Sequence, residues 1–98
     1  MRNLFFVPDT KAKKIVISRI ENYTEKECGS FTMSADSTTY FDFKFERPDG
    51  SRIELHKVSV NEAFEVIEKY ATKEDFLFAC GVFFVFGQII EIEEFKKL

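Results

Sequence analysis

The sequence predicts an α+β fold. A mainly antiparallel sheet of five to seven strands carries one main helix, over about residues 60–71, on one face. A short second helix over about 73–80 sits beside it. Three observations point this way. First, Tyr40-Phe41-Asp42-Phe43-Lys44-Phe45-Glu46 alternates aromatic and charged side chains, the period of a half-buried strand. Second, Arg47-Pro48-Asp49-Gly50-Ser51 carries hairpin-turn chemistry, and Arg52 to Val58 returns with Ile53 and Leu55 opposite Glu54 and His56. Third, Ser59-Val60-Asn61-Glu62 has capping-box spacing. It opens a stripe of Val60, Ala63, Phe64, Ile67, Tyr70 and Ala71 at helical spacing.

The remaining elements follow from the same patterns. Asn3 to Val7 reads as a short strand ended by Pro8, with a turn over Asp9-Thr10-Lys11. Lys14 to Ile20 is rich in β-branched residues and reads as a strand. Glu21 to Gly29 is polar and charged, and a loop is expected there. Phe31 to Ser34 is a short strand and Ala35 to Ser37 a turn. Beyond the main helix, Thr72 can cap a new one, Glu74 and Asp75 suit its first turn, and Gly81 can end it. A strand from Phe76 is the rival reading. Val82 to Phe86 then reads as a strand apolar on both faces, Gly87-Gln88 as a two-residue turn, and Ile89 to Phe95 as its return.

A chain of 98 residues, 45% hydrophobic and 32% charged, is one domain (1–98) able to bury a core. Thirteen residues are Phe and none is Trp. The net charge is −3, and it is uneven. Residues 1–60 hold ten basic and nine acidic side chains, residues 61–98 four and eight. This balance disfavours direct nucleic-acid binding, which needs a concentrated positive field. Lys11, Lys13, Lys14 and Arg19 form the one basic cluster and read as a solvated turn. Only Leu4 to Val7 is apolar before Pro8, too little for a signal-peptide core. The apolar stretch Phe76 to Phe86 falls short of the roughly 20 residues a membrane span needs. With two unclustered cysteines, the expected location is cytoplasmic, with free thiols and no membrane association. Cys80 is expected buried among apolar neighbours, and Cys28 exposed beside Glu25, Lys26 and Glu27.

No catalytic set, metal-ligand spacing or phosphate loop is visible, so no catalytic residue, metal or cofactor is assigned and the chain is not read as an enzyme. His56 is the single histidine and reads as a surface strand residue. Asp42 and Glu54 share the wet face of the hairpin with Lys44, Arg52 and Lys57, and read as solvated charge. Two surfaces remain. Phe83, Phe84, Phe86, Ile89 and Ile90 are more apolar than one core face can hide, and are the candidate interface with a protein partner or a second copy. Glu62, Glu65, Glu68, Glu74 and Asp75, with Glu91, Glu93 and Glu94, are a candidate acidic face. In size, acidity and lack of a catalytic set, with no motif carrying the likeness, the chain is similar to small proteins of phages and mobile elements, anti-CRISPR inhibitors among them. That likeness implies a binding module that blocks a host nucleic-acid-handling complex through an acidic or apolar face. Two alternatives stand beside it. One is a ligand-binding protein or enzyme with a helix–sheet pocket near Tyr23, Tyr40, Tyr70 and His56. The other is a homodimeric structural subunit.

Overall fold

The computed structural model describes residues 2–34 and 39–96. Five strands come first: β1 (Phe5–Asp9), β2 (Lys14–Glu21), β3 (Thr24–Met33), β4 (Phe41–Glu46) and β5 (Arg52–Val58). Two helices follow, α1 (Val60–Val66) and α2 (Lys73–Lys96). The strands pair in sequence order as an antiparallel meander, so every connection is a hairpin and both helices are left to cover one face. The α+β expectation holds, with five strands. The turn expected at Ala35 to Ser37 lies outside the described residues.

The alternation read from β4 has the structural meaning assigned to it. Phe41, Phe43 and Phe45 are buried, while Lys44 is exposed. Phe31 of β3 is the hub of the aromatic core. Its ring centre lies 4.8 Å from Phe43, 5.9 Å from Phe41 and 4.8 Å from Phe83 of α2. The Phe31 and Phe83 rings meet edge to face, the arrangement their quadrupoles favour. Phe6, Ile15, Ile17, Cys28 and Ile53 add to the sheet's contribution.

The expected loop over Glu21 to Gly29 is instead a tight hairpin and the first half of the longest strand. Asn22 and Tyr23 both adopt positive φ, 50° and 63°, as a two-residue turn requires. Tyr is an unusual residue there, which hides the turn from sequence reading. The polar strand beyond it is held across the sheet. Ser18 Oγ donates to Glu25 Oε1 at 2.7 Å, and Lys26 Nζ bridges Glu21 and Glu46 at 3.4 and 3.2 Å.

A bulge follows in β3. Ile17 pairs with Gly29 and Ser18 with Glu27, leaving Cys28 as the extra residue. The bulge turns Cys28 inward, to 3% exposure, against the expectation that it is exposed. Gly29 beside it is required by space, because a Cβ there would overlap the Lys44 carbonyl of the neighbouring strand. The β4–β5 turn forms as expected. Gly50 has φ +90° and its N–H donates to the Arg47 carbonyl at 2.9 Å.

Ser59 and Glu62 form the predicted capping box: Glu62 N donates to Ser59 Oγ at 3.2 Å and Ser59 N to Glu62 Oε1 at 3.3 Å. The helix is shorter than expected and ends at Val66. The stripe survives in the turn beyond it, with Ala63, Phe64 and Ile67 buried.

The main correction is at the C-terminus. There is no helix end at Gly81, no strand over Val82 to Phe86, no Gly87-Gln88 turn and no return strand. Lys73–Lys96 is one 24-residue helix. Glycine inside a helix costs about 1 kcal/mol against alanine, which made Gly81 and Gly87 read as breaks. Packing outweighs that cost. Only a continuous helix puts Ala79, Phe83, Phe86 and Ile90 in one inward stripe at spacings of four, three and four, with Phe83 against the Phe31 and Phe41 rings.

Candidate functional site

The sequence puts Asp75 on the acidic face, but its side chain is 0% exposed. Its Oδ2 accepts from Thr72 N at 2.8 Å while its own N–H donates to Thr72 Oγ1 at 3.1 Å. This is a second capping box, at the start of α2. Its Oδ1 accepts from Asn3 N and Leu4 N at 2.9 and 3.1 Å. The carboxylate therefore ties the N-terminal segment to the helix across more than 70 residues. The Thr72-x-x-Asp75 spacing was the available sequence signal. Of the remaining acidic candidates, Glu62, Glu65, Glu68, Glu74 and Glu91 are exposed, and the side chains of Glu93 and Glu94 lie outside those described. Glu62 is engaged in its capping box.

The residues considered for a ligand pocket do not meet. Tyr23 sits on the β2–β3 turn, at one end of the sheet. Tyr40 enters β4, and His56 lies near the Phe41–Val58 pair, both at the opposite end. Tyr70 packs on Phe45, with ring centres 6.1 Å apart. His56 Nδ1 lies 3.4 Å from Asp42 Oδ1 on the wet face, with His56 largely exposed and Asp42 half-buried. Between sheet and α2, the Phe31 and Phe41 rings both pack edge to face on Phe83. Among the described residues, no group of three or more His, Cys, Asp or Glu is placed to hold a metal.

The basic cluster also divides. Lys11, Lys13 and Lys14 stay at the β1–β2 turn, whereas Arg19 is at the other end of β2, 9% exposed. Arg19 donates from Nε to Glu21 Oε1 at 2.8 Å and from Nη1 to the Glu46 carbonyl at 2.6 Å. Its guanidinium holds the Glu21 carboxyl below the usual carboxylate range. Hydrogen bonding to Glu46 and then Glu21 holds the Lys26 ammonium above its usual range. These charges form a balanced structural network. Cys28 lies against it, and burial pushes its thiol up to about 11, leaving it protonated and inert at neutral pH. Cys80, expected buried, is the exposed thiol, because it falls on the outward side of α2.

The interface candidates on α2 separate into two sets. Phe86 and Ile90 are buried and Phe83 is half-buried, all facing the sheet. Phe84 and Ile89 face outward, with Phe84 68% exposed. Leu77, Phe78, Val85 and Ile92 join them as exposed apolar side chains. On one flank this surface dips into an open groove of about 470 Å³ between α2 and Pro8 of edge strand β1. Phe78 closes one end of the region, with the Arg2 guanidinium stacked 3.6 Å from its ring centre. The helix is thus apolar on both its inward and outward faces. Continuous as it is, Lys73–Ile92 is 20 residues long and apolar enough to cross a membrane, with 22% of its apolar window buried. The expectation that this segment is too short for a span rested on its ending at Phe86.

Set against protein-family models, curated proteins and solved structures, the chain matches none.

Proposed function

We propose that this chain is a protein-binding module without catalysis of its own, and that it docks through the outward face of α2. One observation carries the reading. The helix has already covered the sheet with Ala79, Phe83, Phe86 and Ile90, yet Leu77, Phe84, Val85 and Ile92 remain more than half exposed on its other side. A contiguous apolar patch of several hundred Å² on a soluble monomer marks an interaction site more often than it marks nothing. The apolar version of the binding module is preferred to the acidic one because Asp75 is withdrawn into the fold and Glu62 is committed to a cap. Inhibition of a nucleic-acid-handling complex is one use such a docking face would serve.

The test is dye binding with an α2 variant. Wild-type protein kept dilute should bind an environment-sensitive hydrophobic dye. Phe84→Glu should abolish most of that signal with the far-UV spectrum and the unfolding midpoint unchanged. Dye binding that is absent, or indifferent to Phe84→Glu, would falsify the reading.

A bilayer is the second reading, favoured by the length and composition of Lys73–Ile92. It requires α2 to leave the sheet and expose Phe31 and Phe41, which Phe83 now covers. Flotation with phosphatidylcholine vesicles separates the two: co-flotation supports the bilayer, and protein left at the bottom supports protein docking.

A further inference from the structure

We propose that the partner on the outward face of α2 is a second copy of this chain, paired as antiparallel helices about a twofold axis that passes between Gly81 and Phe84. The inference rests on the docking face described above and names its occupant. Area, shape and charge each support it.

The area is sufficient. The six apolar side chains Leu77, Phe78, Phe84, Val85, Ile89 and Ile92 are 36% to 68% exposed. At about 200 Å² for a fully exposed large side chain, they present on the order of 600 Å². A standard stable interface takes about 800 Å² from each partner, a little over half of it apolar. One copy of α2 therefore already carries the apolar share that a dimer needs.

The shape is self-complementary. Leu77, Gly81, Phe84 and Gln88 follow one another at spacings of four, three and four, the seam of a paired helix. Gly81 has open space where a Cβ would stand, so it is a notch on the seam. Phe84, three residues on, is the most exposed apolar side chain of α2 among the described residues. In an antiparallel pair with the axis between them, Phe84 of each copy meets the partner's Gly81. A knob enters a notch twice, as an isologous interface requires.

The charges agree with the direction. Lys73 and Glu91 are five helical turns apart and so lie on one line along α2, both exposed. Reversing one helix against the other brings Lys73 of each copy alongside the partner's Glu91. A parallel pair would put the two Lys73 at one height on opposite flanks of the seam and leave each about 27 Å along the axis from the partner's Glu91.

The experiment is light scattering on sized protein over a concentration series, with three variants of the full chain. Wild type should reach twice 11.5 kDa. Gly81→Gln fills the notch and removes a helix glycine, so it should raise the unfolding midpoint of the single copy while weakening the dimer about a hundredfold. Lys73→Glu should weaken the dimer about threefold, and Lys73→Glu with Glu91→Lys should restore it. A monomer at every concentration that still shows Phe84-dependent dye binding overturns the second copy and leaves the docking face standing. A monomer with no such dye binding overturns both. A dimer indifferent to Gly81→Gln and to the charge swap overturns this geometry. Wild type that partitions into phosphatidylcholine vesicles rather than dimerising overturns the proposal in favour of lipid.

Discussion

Removing the Asp75 carboxylate should cost this protein a large part of its stability. The side chain is fully buried and accepts three backbone N–H groups, from Asn3, Leu4 and Thr72. Asp75→Ala removes the acceptor of all three. Leu4 is buried, and a buried donor without a partner costs about 1–3 kcal/mol. The cap itself survives, because residue 75 keeps the backbone N–H that donates to Thr72 Oγ1, but the reciprocal bond from the half-buried Thr72 N is lost and adds about 1 kcal/mol. Asn3 is exposed and recovers its bond from water. The expected loss is about 2–4 kcal/mol, set against the roughly 5–15 kcal/mol that a domain of this size possesses. Urea unfolding followed by far-UV circular dichroism reads it directly. With a slope of about 2 kcal/mol per molar, the midpoint should fall by about 1–2 M. Asp75→Asn keeps one oxygen for Asn3 and Leu4 but turns an amide towards Thr72 N, so it should fall between wild type and Asp75→Ala. Amide exchange adds a local readout, because Leu4 N should lose protection in Asp75→Ala well before the strand pairs of β3 and β4 do. A midpoint within about 0.5 M of wild type, or unchanged Leu4 exchange, would refute the role given to this carboxylate.

Three further outcomes follow from the β3 bulge and the two thiols. Gly29→Ala places a methyl group against the Lys44 carbonyl, backbone that cannot swing aside, so the melting temperature should drop by about 10 °C or more; an unchanged melt would show that the strands separate freely there. A thiol reagent at pH 8 should modify Cys80 quickly and Cys28 only on unfolding. The Cys28 thiol is raised from 9.0 to about 11, so the stability it contributes is full below pH 9 and is lost as pH rises towards 11. Unfolding of Cys80→Ser compared with Cys28→Ala/Cys80→Ser across that window isolates the effect, and parallel curves would contradict it.

The parts of the fold that were legible in the sequence share one property: a local pattern that tertiary contacts do not override. The Phe41–Phe43–Phe45 alternation, the Asp49-Gly50 turn and the Ser59–Glu62 capping box each specify their conformation within a few residues. What was misread needed information from elsewhere in the chain. Asn22-Tyr23 is a turn because β2 and β3 must pair on either side of it. Cys28 is buried because a bulge one residue long changes which way it points. Asp75 looks like surface charge until Asn3 and Leu4 are brought to it. For the candidate site, the sequence located the apolar excess at 83–90 but not its division. Phe86 and Ile90 turn inward and Phe84 and Ile89 outward only once the segment is helical.

The sequence by itself determined an α+β domain, its five strands' dominant hairpin, the start of α1 and the presence of more apolar surface than one core face absorbs. The tertiary structure decided that Lys73–Lys96 is one helix. The physical reason is that a sheet face lined by Phe31, Phe41 and Phe43 must be kept from water, and a stripe at spacings of three and four covers it where a two-residue alternation would send half its side chains away. The same choice that buries Ala79, Phe83, Phe86 and Ile90 leaves Leu77, Phe84, Val85 and Ile92 on the far side of the helix.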